Sequence, residues 1–206
     1  TERELQLFRP GPPDGKRITA EVCVHHLWFD DRDYDERGTL IKCNPAIKTR
    51  ADRDALRAGL RDGRLDLVGT DHAPHTLDEK GRGYFGAPAG LPLVQHALPM
   101  LLELVHDGHL PLEMAVEKLA HAPARMFGIV DRGYLREGAY ADLVLVDLDS
   151  AYQVRREDVL YKCGWSPIEG QRLRSRVVAT FVNGRKVYEE GQFFGEPAGQ
   201  RLQFAR

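Results

Sequence analysis

A strand–helix–strand run over residues 17 to 70, delivering an aspartate and two histidines at its end, constrains this chain more than any other stretch. Arg17 to Val24 (Arg-Ile-Thr-Ala-Glu-Val-Cys-Val) has β-branched alternation and predicts a strand. Thr49 to Leu60 predicts a helix: Thr49 suits the N-cap, Asp52 three residues on makes a short-armed capping box, and Ala55, Leu56 and Leu60 mark one face. Gly63 stops it, and Leu65 to Thr70 reads as the next strand, as in parallel α/β folds. Asp71 therefore falls where a parallel strand ends, the rim on which an α/β barrel collects its catalytic groups. Within Thr70-Asp71-His72-Ala73-Pro74-His75, one carboxylate and two imidazoles supply the ligand and proton-transfer types that a catalytic zinc site uses.

The texture then changes twice. Residues 76 to 90 hold four glycines and a proline, which suits a mobile active-site lid as well as it suits a plain surface connection. Leu91 to His106 and Leu112 to Phe127 read as amphipathic helices, the second with Val116, Leu119 and Ala120 on one face. From Gly133 the pattern has period two. Ala141 to Asp147 and Val177 to Val182 are strands, and Asn183-Gly184 is a strong type I′ turn into Arg185 to Tyr188. The chain divides into an α/β portion, residues 1–128, and a β-rich portion, residues 129–206, with no internal repeat.

Composition excludes several classes of function. A net charge of -2 leaves no basic footprint for nucleic acid. The longest apolar stretch, Leu91 to Val105, is broken by Gln95, His96 and Glu103 and is too short to span a bilayer, so no membrane role is expected. The charged opening Thr1-Glu2-Arg3-Glu4 does not read as a secretory signal. Cys23, Cys43 and Cys163 have neither an even count nor paired-ligand spacing, which favours reduced, mostly buried thiols in a cytoplasmic protein.

Three separated signatures resemble one superfamily. Thr70-Asp71-His72-Ala73-Pro74-His75 is similar to the motif after the last barrel strand of bacterial dihydroorotases. Glu21-Val22-Cys23-Val24-His25-His26-Leu27, with Lys42-Cys43-Asn44-Pro45, resembles the segment two strands earlier in those enzymes. Gly138-Ala139-Tyr140-Ala141-Asp142-Leu143-Val144 and Val182-Asn183-Gly184 look like the C-terminal sandwich of metal-dependent cyclic amidohydrolases in general. The resemblance covers nearly the whole chain. It implies the C-terminal part of a TIM-type (β/α)8 amidohydrolase barrel followed by a small β-sandwich portion.

The resemblance also implies roles. Asp71 matches the aspartate that ligates one zinc and serves as general acid/base; Asn44 and His75 match substrate contacts; Phe85-Gly86 matches the loop dipeptide that closes over the substrate. The reaction would be the zinc-dependent, reversible cyclisation of N-carbamoyl-L-aspartate to L-dihydroorotate in pyrimidine biosynthesis. The intact enzyme would hold two zinc ions. The family's His-x-His-x-Arg motif, bridging carboxylate and two further histidines have no counterpart here, no histidine preceding His25. A C-terminal fragment, inactive until joined by the N-terminal half of the same enzyme, is therefore expected; a homodimer or aspartate carbamoyltransferase are the other partners the resemblance suggests.

Plainer roles compete at each position. Asp71 could cap the turn after its strand, and Asn44 could form an Asx turn before Pro45. His72 is open between a hydrogen-bonding role and simple exposure. His25 and His26 also follow a strand, but neighbours on an extended segment point to opposite faces, so a structural role is preferred. His96, His106, His109 and His121 read as packing or surface residues. Two other functions stay open: another cyclic amidohydrolase, such as an allantoinase, and a non-catalytic dihydroorotase-like scaffold subunit.

Overall fold

The structure is a computed structural model that describes residues 1–205 of the 206. Its first part runs α1 (Glu2–Leu5), β1 (Glu21–Cys23), α2 (Val24–Trp28), α3 (Asp33–Arg37), a 3-10 turn (Gly38–Ile41), α4 (Arg50–Arg61) and β2 (Leu67–Gly69). β1 and β2 pair in parallel, with Glu21 opposite Leu67 and Cys23 opposite Gly69. Both strands thus end on one rim, and the residues after each emerge side by side.

Local chemistry explains α4. The Thr49 hydroxyl accepts from the Asp52 backbone N–H at 3.2 Å, and the Asp52 carboxylate accepts from the Thr49 N–H at 3.3 Å, closing the capping box in both directions. Leu60 is fully buried, with Ala55 and Leu56 packed against the same core. Gly63 takes a φ of +77° beyond the helix, and a Cβ there would collide with the Gly11 carbonyl oxygen. Gly63→Ala is therefore expected to lower stability by more than about 1 kcal/mol, since strain at positive φ adds to the collision. An unchanged urea midpoint would contradict this.

The strand expected over Arg17 to Val24 is only three residues long. Asp66, wholly buried, accepts from the Ala20 N–H at 2.8 Å and pairs with the Lys16 ammonium at 2.7 Å, which anchors residues 16–20 as irregular chain. Val24 leaves the ladder because it opens α2. β2 is also shorter than expected: the Leu65 N–H donates to Gly59, and the Leu65 carbonyl accepts from Lys118 at 2.7 Å.

Beyond β2 come α5 (Leu77–Lys80), α6 (Gly83–Gly86), α7 (Ala97–His106) and α8 (Leu112–Val116), which continues through a π-helical turn (Glu117–His121) into α9 (Ala122–Met126). The last three form the helix expected over 112–127, and the widened turn stands just before Pro123, which has no N–H to donate backward. The helix expected from Leu91 begins six residues later. Leu91 instead makes a parallel bridge to His72, and its carbonyl accepts from the Ala73 N–H at 3.2 Å.

The remaining elements are β3 (Leu143–Asp147), β4 (Tyr152–Gln153), a 3-10 turn (Arg156–Asp158), β5 (Arg172–Leu173), β6 (Arg176–Val182), β7 (Arg185–Glu189) and β8 (Gln192–Phe193). An antiparallel sheet has the order β3-β6-β7-β8, and β4 pairs with β5. Asn183 and Gly184 have φ of 51° and 78°, as the type I′ turn between β6 and β7 demands. Val154, Ile168 and Leu173 join the core built by Val22, Leu27, Leu60, Val68 and Met100. Across that contact Arg174 reaches the nearly buried Glu103 carboxylate at 2.8 Å, and Trp28 donates to the Gln171 side chain at 3.1 Å. Among the described residues, no helix is long and apolar enough to cross a membrane.

Candidate active site

The parallel register sets Asp71 two residues past Gly69, and His25 and His26 just past Cys23, on one rim. Asp71 has a φ of +44° and is exposed. A short polar side chain tolerates that left-handed conformation, and the turn presents its carboxylate to solvent. Its charge acts on the neighbouring strand end. Burial pushes the Cys23 thiol up to about 12, with the Glu21, Asp71 and Cys43 charges adding to the rise. Burial likewise pushes Cys43 up to about 11, with Asp71 adding.

Two ammonium groups draw the neighbouring segments in. Lys42 donates to the Tyr84 and Ala87 carbonyls at 2.6 and 2.5 Å, which fastens the Phe85-Gly86 dipeptide to the segment carrying Asn44. Lys80, fully buried, donates to the carbonyls of Lys42, Pro88 and Gly90, each at 3.0 Å. Burial pushes this ammonium down to about 8. Gly90 packs so closely on Ala73 and His75 that a Cβ would collide with Ala73. The segments bearing Asn44, Asp71 to His75 and Phe85-Gly86 therefore meet. Residues 76 to 90 form two short helices held by these bonds, and Phe85 stands 99% exposed at the tip.

His75 keeps its ring partly exposed, with Nδ1 3.9 Å from the Glu79 carboxylate, while its carbonyl accepts from Trp165 Nε1 at 2.7 Å. His72 has a hydrogen-bonding role: its Nδ1 accepts from the Leu93 and Val94 N–H groups at 3.1 and 3.2 Å, holding 91–94 against the strand end. His96 is 2% exposed and sits 3.3 Å from the Ser166 hydroxyl and 3.4 Å from the Tyr161 hydroxyl. Burial pushes it down to about 4. An unfolded histidine titrates near about 6.5. The folded state thus binds fewer protons between those values, and the stability due to neutral His96 is present above the upper one and lost as pH falls. Denaturant midpoints are expected to drop from pH 6.5 to pH 4, at up to about 1.4 kcal/mol per pH unit from this group. His96→Gln should flatten the fall, and an identical pH profile in that variant would contradict the assignment.

The geometry of His25 and His26 departs from expectation. They lie in α2 rather than on extended chain, and their rings are 4.3 Å apart at 47°. Side chains expected to diverge instead converge, and the ligand atoms of Cys23, His25 and His26 lie within 4.8 Å of one another. Sequence reasoning missed this cluster; the Cys-x-His-His spacing at a strand–helix junction was its only signal. Among the described residues, no other grouping of three or more such donors could share an ion, and Asp71 is not part of this one. A zinc site needs three or four protein ligands. The residues present around Asp71 thus do not fit the zinc pair that the resemblance implies.

The chain belongs to the amidohydrolase family, whose model matches residues 13–187. It is 43% identical over 171 residues to a dihydroorotase of Halobacterium salinarum, covering 83% of this chain and 40% of that protein. A dihydroorotase of Pyrococcus furiosus is 35% identical over 185 residues, covering 90% of this chain and 43% of that protein. Among solved structures, the L-hydantoinase (dihydropyrimidinase) from Arthrobacter aurescens matches with a TM-score of 0.88 at 27% identity, over 98% of this chain and 46% of that one. The chain spans less than half the length of these relatives. The family is generally metal-dependent, and the α/β fold is of the type its hydantoinase members share.

Proposed function

We propose that this chain carries one wall of the active site of a dihydroorotase, which interconverts N-carbamoyl-L-aspartate and L-dihydroorotate. The observation that carries the reading is the dihydroorotase-type run Asp71-His72-Ala73-Pro74-His75, at a parallel strand end and against the segments bearing Asn44 and Phe85-Gly86. Opening a cyclic amide requires a proton to leave the attacking water and reach the departing ring nitrogen. The exposed Asp71 carboxylate is the group for that transfer. His75 and Asn44 supply directed hydrogen bonds that suit an anionic pyrimidine ring, and Phe85-Gly86 covers it. A zinc pair with Asp71 as one ligand would need its remaining ligands from outside this chain.

The proposal includes the architecture. Residues 1–128 form the C-terminal part of a (β/α)8 barrel and 129–206 the β-rich sandwich portion. The outer edge of β1 pairs with no strand among the described residues, and a cavity of about 420 Å³ lined by Leu5, Phe8, Val22 and Phe29 lies beside it. An N-terminal half of the same enzyme, supplying the earlier barrel strands, would cover both. A second copy of the chain or aspartate carbamoyltransferase would add to that assembly, in the cytoplasm.

The likeness to an L-hydantoinase favours one alternative, a different cyclic amidohydrolase. A substrate panel separates the two. The intact enzyme is expected to open dihydroorotate and to leave hydantoin and allantoin unchanged; the reverse pattern would defeat the dihydroorotase reading.

A further inference from the structure

Where β1 passes into α2, three nitrogen and sulfur donors converge, with the Cys43 sulfur beside one of them and the Asp71 charge close enough to act on both thiols. Cys23 ends the strand and the first turn of α2 carries His25 and His26, whose ligand atoms with Cys23 lie within 4.8 Å of one another. The Cys43 sulfur is 3.9 Å from His26 Nε2, and its charge is among those that act on Cys23. His25 is 1% exposed, and neither of its ring nitrogens has a hydrogen-bond partner. A buried polar group left in that condition destabilises the fold, so a partner is called for.

Two thiols and two imidazoles are the donor set of a tetrahedral zinc site, and thiolates select thiophilic cations over magnesium or calcium. We propose that Cys23, His25 and His26, with Cys43 as the fourth ligand, bind one thiophilic divalent cation of the zinc class per chain, at a site that does not count Asp71 among its ligands. Ligand atoms around tetrahedral zinc lie about 3.3–3.8 Å apart, given the usual zinc–nitrogen and zinc–sulfur lengths. Binding would draw Cys23, His25 and His26 inward from within 4.8 Å and Cys43 from its place beside His26, with His26 and Cys43 giving up their contacts to the Pro45 carbonyl at 2.9 and 3.2 Å. Each cysteine releases its proton to solvent and binds as thiolate, while both imidazoles bind neutral. The bound cation ties the β1–α2 junction to the turn that presents Asn44. This inference does not depend on the dihydroorotase reading.

The test uses the 206-residue chain under reducing conditions with zinc or cadmium as the only added metal. Cadmium titration is expected to raise a thiolate-to-metal absorption band that saturates at one equivalent. One equivalent of zinc should slow alkylation of Cys23 and Cys43, mapped by mass spectrometry, and leave Cys163 reacting as before. Cys23→Ser with Cys43→Ser should weaken zinc binding at least 100-fold, whereas Asp71→Asn, which removes only a neighbouring charge, should weaken it far less. An absent band, unchanged alkylation of Cys23 and Cys43, or binding lost in Asp71→Asn but kept in the double variant would overturn the proposal. The alkylation arm needs no variant, so it decides even if the double variant fails to fold.

Discussion

Asp71→Asn in the intact enzyme is expected to lower kcat for dihydroorotate ring opening by about 100- to 10,000-fold, the range lost with a general acid/base. Its unfolding midpoint should scarcely move. Asp71 is exposed and contributes no packing, and asparagine tolerates the same φ of +44°. A large catalytic loss on an intact fold separates proton transfer from the simple turn-capping role. Near-normal turnover by this variant would remove Asp71 from the chemistry.

The largest stability effect should come from Trp165, which lies far from Asp71 in sequence yet supports its loop. The side chain is 1% exposed, and its Nε1 donates to the His75 carbonyl at 2.7 Å. Trp165→Ala is expected to cost about 3–5 kcal/mol, as deleting a buried aromatic ring does. Trp165→Phe keeps much of the packing and removes only the hydrogen bond. In the intact enzyme that variant should raise KM more than it lowers kcat if His75 has its proposed role of contacting substrate rather than transferring the proton. A denaturation free energy within 1 kcal/mol of the parent for Trp165→Ala would refute the packing role.

What was legible in the sequence was local. The Thr49–Asp52 capping box, the Asn183-Gly184 turn and the helix over 112–127 each follow from residues within a few positions of one another. What was not legible depends on distant partners. Asp66 holds Lys16 and Ala20, and so shortens β1 from a distance of about fifty residues. His72 takes the amides of Leu93 and Val94, which keeps extended a stretch whose apolar pattern suggested helix. Lys42 and Lys80 order a glycine-rich loop through carbonyls on both sides of it. The site divides the same way. Asp71 announced itself as a carboxylate at a strand end, whereas roles for Asn44, His75, Phe85 and Gly86 came only through resemblance. The Cys23–His25–His26 cluster is not legible because the sequence pattern predicts extended chain where the backbone turns into α2.

The chain is proposed to supply the Asp71 wall of a dihydroorotase active site, an N-terminal half supplying the other walls. Dihydroorotate hydrolysis by the 206-residue chain, alone and combined with an N-terminal half, tests it most directly. No turnover is expected from the chain alone, turnover on combination, and its loss when the combined chain carries Asp71→Asn. Full turnover by the chain alone, or a combined enzyme indifferent to dihydroorotate, would contradict it.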